Sequence, residues 1–221
     1  MSVFVAGTDT EVGKTVTSAL LMARYGRQSD LGYWKPIATG ASTDRNVTTV
    51  ERLASTYGNI HPESYRFNPP VSPHLAGRLA RTVIDPERIV RDFVTLRRTH
   101  PSRHFIVEGI GGIMVPLTDD GYLMAELTRR LRIPCVLVAR STLGTINHTL
   151  LSIEALRRRK IPLAGVIMNG PKNRENKKAI ERFGDIPVVG EVETIAKLTA
   201  TSVATVARGI DRRAILKQHL T

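Results

Sequence analysis

The chain is poor in several features that define whole classes of protein. It has one cysteine, Cys135, in 221 residues. No intrachain disulfide can form, which excludes a secreted disulfide scaffold. The thiol lies in the apolar run Ile133-Pro134-Cys135-Val136-Leu137-Val138-Ala139, where a buried strand thiol is inert rather than catalytic. No charged segment followed by a signal-type apolar core opens the sequence, and no apolar run approaches the ~20 residues that span a bilayer. The expectation is a cytoplasmic protein with no membrane partner. The six histidines are scattered without ligand spacing, so no zinc site is indicated. A Gly-x-Ser-x-Gly nucleophile elbow is also missing.

Acidic residues are few beside basic ones: 20 Asp and Glu against 32 Lys and Arg, a formal net charge of +12 and a pI near 10.4. Such a balance raises nucleic acid as a partner. Aromatics make up only 5% of the chain, however, and no stripe of aromatic and basic residues accompanies the charge. The basic clusters Arg129-Arg130, Arg157-Arg158-Arg159-Lys160 and Arg212-Arg213 fall near the ends of helical segments, where cations favour the helix dipole. Solvated helix ends account for the charge better than a nucleic-acid groove does.

What is present begins at Gly7-Thr8-Asp9-Thr10-Glu11-Val12-Gly13-Lys14-Thr15. An apolar run, Val3 to Ala6, precedes it, and a helical segment, Val16 to Tyr25, follows. A turn ending in Gly-Lys-Thr between strand and helix is a phosphate-binding context. Its backbone N–H groups carry partial positive charge toward the turn's interior. Lys14 adds a cation over the outer phosphates, and the Thr15 hydroxyl reaches a Mg²⁺. A tight turn that merely contains Gly and Lys is the alternative, and the flanking elements argue against it.

Hydrophobic residues make up 42% of the chain, enough for one domain over residues 1–221 with a sizeable core. Further apolar runs at Leu31–Trp34, Phe105–Val107, Val136–Ala139, Leu163–Met168 and Val188-Val189 read as strands. Helical spacing recurs over Val47–Tyr57, after Pro73, after Pro86, and over Leu123–Leu131, Ile146–Arg159 and Lys172–Phe183. The stretch Gly58–Pro73 reads as an irregular loop, and helical segments close the chain. Continuous apolar strands alternating with amphipathic helices predict an α/β fold: a doubly wound, mainly parallel sheet with helices on both faces. Ligands of such sheets sit beyond the carboxyl ends of the strands.

Two more strand ends carry chemistry. Glu108 follows Phe105–Val107 and offers the anionic oxygen that a phosphate-bridging Mg²⁺ takes beside a neutral hydroxyl. The succeeding Gly109-Ile110-Gly111-Gly112 bares backbone N–H groups to an anion. Lys35, held by Pro36 with Thr39-Gly40 beyond, either faces the γ-phosphate from the side opposite the loop or binds a second anion.

Taken in order, GTDTEVGKT (Gly7–Thr15), KPIATG (Lys35–Gly40), SPH (Ser72–His74), EGIGG (Glu108–Gly112), LGTINH (Leu143–His148), LAGVIMN (Leu163–Asn169) and Gly190-Glu191-Val192 resemble the dethiobiotin synthetase family over most of the chain. The resemblance implies ATP-dependent closure of a ureido ring on 7,8-diaminononanoate with CO₂. It implies catalytic roles for Lys14, Lys35, Thr10 and Glu11. ATP contacts would come from Gly7, Glu11, Val12, Gly13, Lys14, Thr15 and Val16, with Asn169, Gly190 and Val192 near the base. Thr10, Lys35, Thr39, Gly111 and Gly112 would face the diamine or its carbamate. Gly144, Thr145 and Asn147 match the segment that holds the substrate carboxylate across a dimer interface, so a homodimer is implied. The metal would sit on Thr15 and Glu108.

Departures accompany the matches. The family's third Mg²⁺ ligand, an Asp, falls by register at Asn46 or Thr48, neither of them charged, and Asp44 substitutes only if the loop bends differently. Ile110 stands where the family has Ala, and Glu193 where it often has Pro. Two other P-loop classes compete: an amidoligase-like synthetase, and a partitioning-type ATPase that binds DNA or membrane. The latter carries a second lysine near the start of the loop, where Asp9 stands here.

Overall fold

The computed structural model describes residues 2–26, 28–40, 50, 53 and 59–221. Nine strands are described: β1 (Ser2–Gly7), β2 (Leu31–Trp34), β3 (Ile37–Ala38), β4 (Asn59–His61), β5 (Tyr65–Arg66), β6 (His104–Glu108), β7 (Cys135–Arg140), β8 (Leu163–Asn169) and β9 (Val188–Val192). Among the described residues the helices are α1 (Lys14–Tyr25), α2 (Pro73–Leu79), α3 (Pro86–Thr99), α4 (Met124–Leu131), α5 (Thr145–Arg158), α6 (Arg174–Gly184), α7 (Ala200–Ala207) and α8 (Lys217–Leu220).

Seven strands form one sheet in the order β4-β2-β6-β1-β7-β8-β9, with every neighbouring pair parallel. Side-chain alternation in β1 shows why Val3 to Ala6 are all apolar. Phe4 and Ala6 enter a core with Trp34, Phe93, Leu127 and Leu156. Val3 and Val5 enter the opposite core with Leu20, Leu21, Met22 and Val203. A strand buried on both faces has no room for polar positions. The doubly wound sheet expected from the sequence is present.

Element ends follow local chemistry. Asp85 caps α3 by accepting from the Glu87 N–H at 2.9 Å, with Pro86 at the first helical position. Asn173 likewise caps α6 through the Asn176 N–H at 3.0 Å. Pro73 opens α2 as expected.

The stretch 58–73, read above as irregular, needs correction. It contains β4, which extends the main sheet along β2, and β5, which pairs with β3 in a two-stranded parallel sheet. Three-residue and two-residue strands are too short to show a period. Tertiary contacts hold them: Tyr65 stacks on Phe67 with ring centroids 6.1 Å apart, and the Trp34 indole donates to the Pro62 carbonyl at 3.0 Å. Of the helix expected over Val47–Tyr57, only Val50 and Leu53 belong to the described residues, and both are helical and buried.

The C-terminal segment is fastened by one carboxylate. Asp211, 1% exposed, accepts from the Tyr25 hydroxyl and from the N–H groups of Ile215 at 2.8 Å and Leu216 at 2.7 Å. Burial and the adjoining carboxylate together push the Tyr25 hydroxyl's pKa upward. Asp211→Ala orphans all three donors, so a loss of about 3 kcal/mol is expected in urea unfolding. A loss below about 1 kcal/mol would mean that apolar packing alone holds this segment.

Candidate functional site

Parallel strands deliver their carboxyl ends to one edge, and the strand order places five of them side by side: β2-β6-β1-β7-β8. Lys35 follows β2, Glu108 ends β6, Gly7 ends β1, Arg140 ends β7 and Asn169 ends β8. These residues are far apart in sequence and adjacent in space because strand neighbours are.

The loop from Gly7 to Thr15 is shaped by close approaches. Gly13 has φ +91°, and a Cβ there would stand 2.2 Å from Asn169 Nδ2. Only glycine fits, on conformational and steric grounds together. Asn169 Nδ2 donates to the Val12 carbonyl at 2.7 Å, tying the loop to β8. At the other end Arg140 Nη2 meets Asp9 Oδ2 at 2.9 Å and the Thr10 carbonyl at 3.2 Å. Between these anchors α1 begins without a side-chain N-cap. Its first-turn N–H groups lack intrahelical partners and suit an anion.

Glu108 is the electrostatic centre, 1% exposed. Its Oε2 accepts from the Ser18 hydroxyl at 2.9 Å and the Tyr33 hydroxyl at 3.0 Å. Its Oε1 accepts from the Thr15 hydroxyl at 2.9 Å and lies 3.4 Å from Lys35 Nζ. Lys14 Nζ donates to the Asp9 carbonyl at 2.9 Å. Burial lowers the Lys14 pKa to about 8; Glu108 pulls it back upward and Lys35 pushes it further down.

A cavity of about 710 Å³ opens over this group. Of the residues singled out from the sequence, Thr10, Glu11, Gly13, Lys14, Thr15, Val16, Lys35, Thr39, Glu108 and Gly111 line it. Gly7 lies beneath, its α-carbon so close to Lys14 Nζ that a Cβ would sit 2.8 Å away. Val12 is 2% exposed with its side chain in the core, and contributes its carbonyl. Gly112 lines a neighbouring depression with Thr8, Asp9, His148 and Leu151. Gly144 and Asn147 are exposed at the start of α5, where the Thr145 hydroxyl donates to the Arg140 carbonyl; none of these three lines the 710 Å³ cavity. Gly190 sits inside β9 in register with Ile167 and lines a separate cavity with Lys177 and Arg212. Val192 pairs with Asn169 at the strand end. Asp44, and with it Asn46 and Thr48, lies outside the described residues.

The donor chemistry fits a nucleotide and a hard cation. Thr15 Oγ1 and Glu108 Oε1 are adjacent oxygens of the kind Mg²⁺ takes beside phosphates. No group of three His, Cys, Asp or Glu gathers as a metal site among the described residues, so phosphate oxygens and water would complete the coordination. Asn169 Oδ1 is buried without a hydrogen-bond partner. Sequence reasoning missed Ser18, Tyr33 and Arg140. Ser18 was within reach, one helical turn beyond Thr15 and thus on the same face. Tyr33 reads as an ordinary strand residue. Arg140 shows only as a charge ending an apolar run.

Strand, glycine loop, buried lysine and strand-end carboxylate define a P-loop nucleotide-binding protein. Solved structures with the same fold include the MinC:MinD cell division complex of Aquifex aeolicus (TM-score 0.63, 11% identity, 94% of each chain). Another is pNOB8 ParA bound to nonspecific DNA (TM-score 0.60, 11% identity, 96% of this chain and 98% of that one). A family model described as an AAA domain matches residues 1–202. The ATP-dependent dethiobiotin synthetase BioD of Paramagnetospirillum magneticum is 46% identical over 91% of this chain and 92% of its own. That of Agrobacterium fabrum is 41% identical over 88% and 87%. The chain belongs to the dethiobiotin synthetase family.

The lowered Lys14 pKa carries a pH dependence. With its pKa lowered by burial to about 8, the Lys14 ammonium loses its proton as pH rises through that value. Affinity of the free enzyme for a non-hydrolysable ATP analogue should therefore fall between about pH 7 and 9.5, as measured by titration calorimetry. Constant affinity across that range would show that Lys14 keeps its charge or contributes little to binding.

Proposed function

We propose that this protein is an ATP-dependent dethiobiotin synthetase of biotin biosynthesis, a cyclo-ligase forming C–N bonds, built as one domain over residues 1–221. The observation that carries the reading is the pair of lysines flanking one buried carboxylate above a glycine loop, in a chain 46% identical to a dethiobiotin synthetase. The substrates are 7,8-diaminononanoate, CO₂ and ATP. One amine adds to CO₂, giving a carbamate and a released proton. A carbamate oxygen attacks the γ-phosphorus and ADP leaves, forming a carbamic–phosphoric anhydride. The second amine then attacks the anhydride carbonyl; the C–O bond to phosphate breaks, a proton is lost and the five-membered ureido ring closes.

No protein nucleophile is required by this sequence of steps. The work of the site is to position two anions and neutralise their charge. Lys14 faces the outer phosphates, Lys35 lies between the phosphate being transferred and the carbamate, and the loop N–H groups hold phosphate oxygens. Thr15 and Glu108 would hold Mg²⁺, with Asp44 proposed as the further carboxylate; the cation would neutralise charge on the phosphates. Thr10, Glu11, Thr39, Gly111 and Gly112 form the diamine side. Gly144, Thr145 and Asn147 serve the substrate carboxylate from a second copy in a homodimer. Supporting that assembly, Met114 and Leu151, 48% and 57% exposed, line the depression that holds Gly112, and Leu143 is fully exposed beside Gly144.

The protein is assigned to the cytoplasm, with no nucleic-acid or membrane partner. Among the described residues no helix is long and apolar enough to cross a membrane. The partitioning-ATPase reading rests on shared fold alone, and Asp9 stands where that class carries a lysine.

Incubation with 7,8-diaminononanoate, bicarbonate, Mg²⁺ and ATP, with mass detection of dethiobiotin, tests the reading directly. Dethiobiotin formed with stoichiometric ADP is expected; ATP hydrolysis stimulated by DNA, with no product, would replace it by the partitioning class. Lys35→Ala should lower ring closure by roughly a hundredfold or more while the ATP KM stays within about threefold. Retention of most turnover would remove Lys35 from the chemistry.

A further inference from the structure

The phosphate loop is anchored at two points that belong to different halves. Gly13, Lys14 and Thr15 are held by β8 and β6, through the Asn169 amide on the Val12 carbonyl and the Thr15 hydroxyl on Glu108. Thr10 and Glu11 receive neither contact. Both are exposed, and Glu11 holds φ +53°, a conformation a non-glycine residue keeps only when its surroundings impose it. Lys14 Nζ reaches this half at the Asp9 carbonyl, and Arg140 fixes it from the end of β7. Its guanidinium spans Asp9 Oδ2 at 2.9 Å and the Thr10 carbonyl at 3.2 Å, while Asp9 Oδ1 accepts from the Thr10 N–H at 2.7 Å. Arg140 is itself held from behind, its carbonyl accepting from the Thr145 hydroxyl at the start of α5.

We infer that Arg140 is a positioning residue for the diamine half of the loop, fixing Thr10 and Glu11 against the second substrate and leaving the ATP half untouched. The inference rests on the dethiobiotin synthetase reading for the identity of that substrate. Arg140 does two things at this position. Its Nη2 donates to a carboxylate and to a carbonyl together. Its charge also cancels that of Asp9, one residue before Thr10, where an uncompensated carboxylate would repel an incoming carbamate. Because the pair is half exposed (47% and 45%), its direct contribution to stability is small. The loss on its removal falls on geometry at the mouth of the cavity.

The test combines kinetics with a measurement that needs no turnover. In Arg140→Ala the KM for 7,8-diaminononanoate should rise about tenfold, the ATP KM should stay within about twofold, and Tm should shift by less than about 2 °C. Arg140→Lys should restore part of the diamine KM, because its ammonium keeps the charge that balances Asp9 on a shorter side chain. Amide hydrogen exchange in Arg140→Ala should quicken at Thr10 and Glu11 and stay unchanged at Gly13–Thr15. Equal rises in both KM values, an unchanged diamine KM, or unchanged exchange at Thr10 and Glu11 would each overturn the inference. Failure of the unsubstituted protein to make dethiobiotin would overturn the functional reading instead, and the exchange measurement would still judge the role of Arg140.

Discussion

The site is built around one carboxylate set where almost no water reaches it. Glu108 is 1% exposed, and a polar group buried so deeply is costly unless its oxygens are hydrogen-bonded. Here its two oxygens are given different partners. Ser18 and Tyr33 hold Oε2, fixing the group to α1 and β2. Thr15 and Lys35 face Oε1, on the side that lines the cavity. One oxygen anchors the residue and the other remains directed at the chemistry. Three secondary-structure elements converge on this group, so their relative placement is set by hydrogen bonds as well as by apolar burial.

The same economy of charge explains the two lysines. Lys35 is 3% exposed and Lys14 is 9% exposed. Burial draws the Lys14 pKa down to about 8. A polyanionic ligand relieves this strain by supplying the missing negative charge. Affinity for phosphates and the destabilised lysine are therefore one physical fact seen from two sides. The loop between them has two halves, Gly13–Thr15 and Thr10–Glu11, and each has its own tether to the sheet.

Much of this was legible in the chain. The alternation of apolar runs and amphipathic helices required a parallel sheet with both faces covered, and Phe4 and Val5 do point into opposite cores. The Gly-Lys-Thr turn between strand and helix announced a phosphate site, and the ordered motifs from Gly7 to Val192 named a family. The short strands β4 and β5 escaped because three and two residues have no readable period and are held by partners such as Trp34 and Phe67. Ser18, Tyr33 and Arg140 escaped because their roles are defined by what lies across the sheet from them.

The amino-acid sequence by itself determined the fold class, the phosphate loop and the pool of charged residues, since periodicity, glycine placement and residue chemistry act locally. Only the tertiary structure decided which of those residues meet. Strand order brings Lys35, Glu108, Gly7, Arg140 and Asn169 to one edge, although more than 130 positions separate the first from the last. It also turned Asp9 from a bystander into one half of a charged latch with Arg140. Distances across a sheet are set by strand neighbours, and no local pattern encodes them.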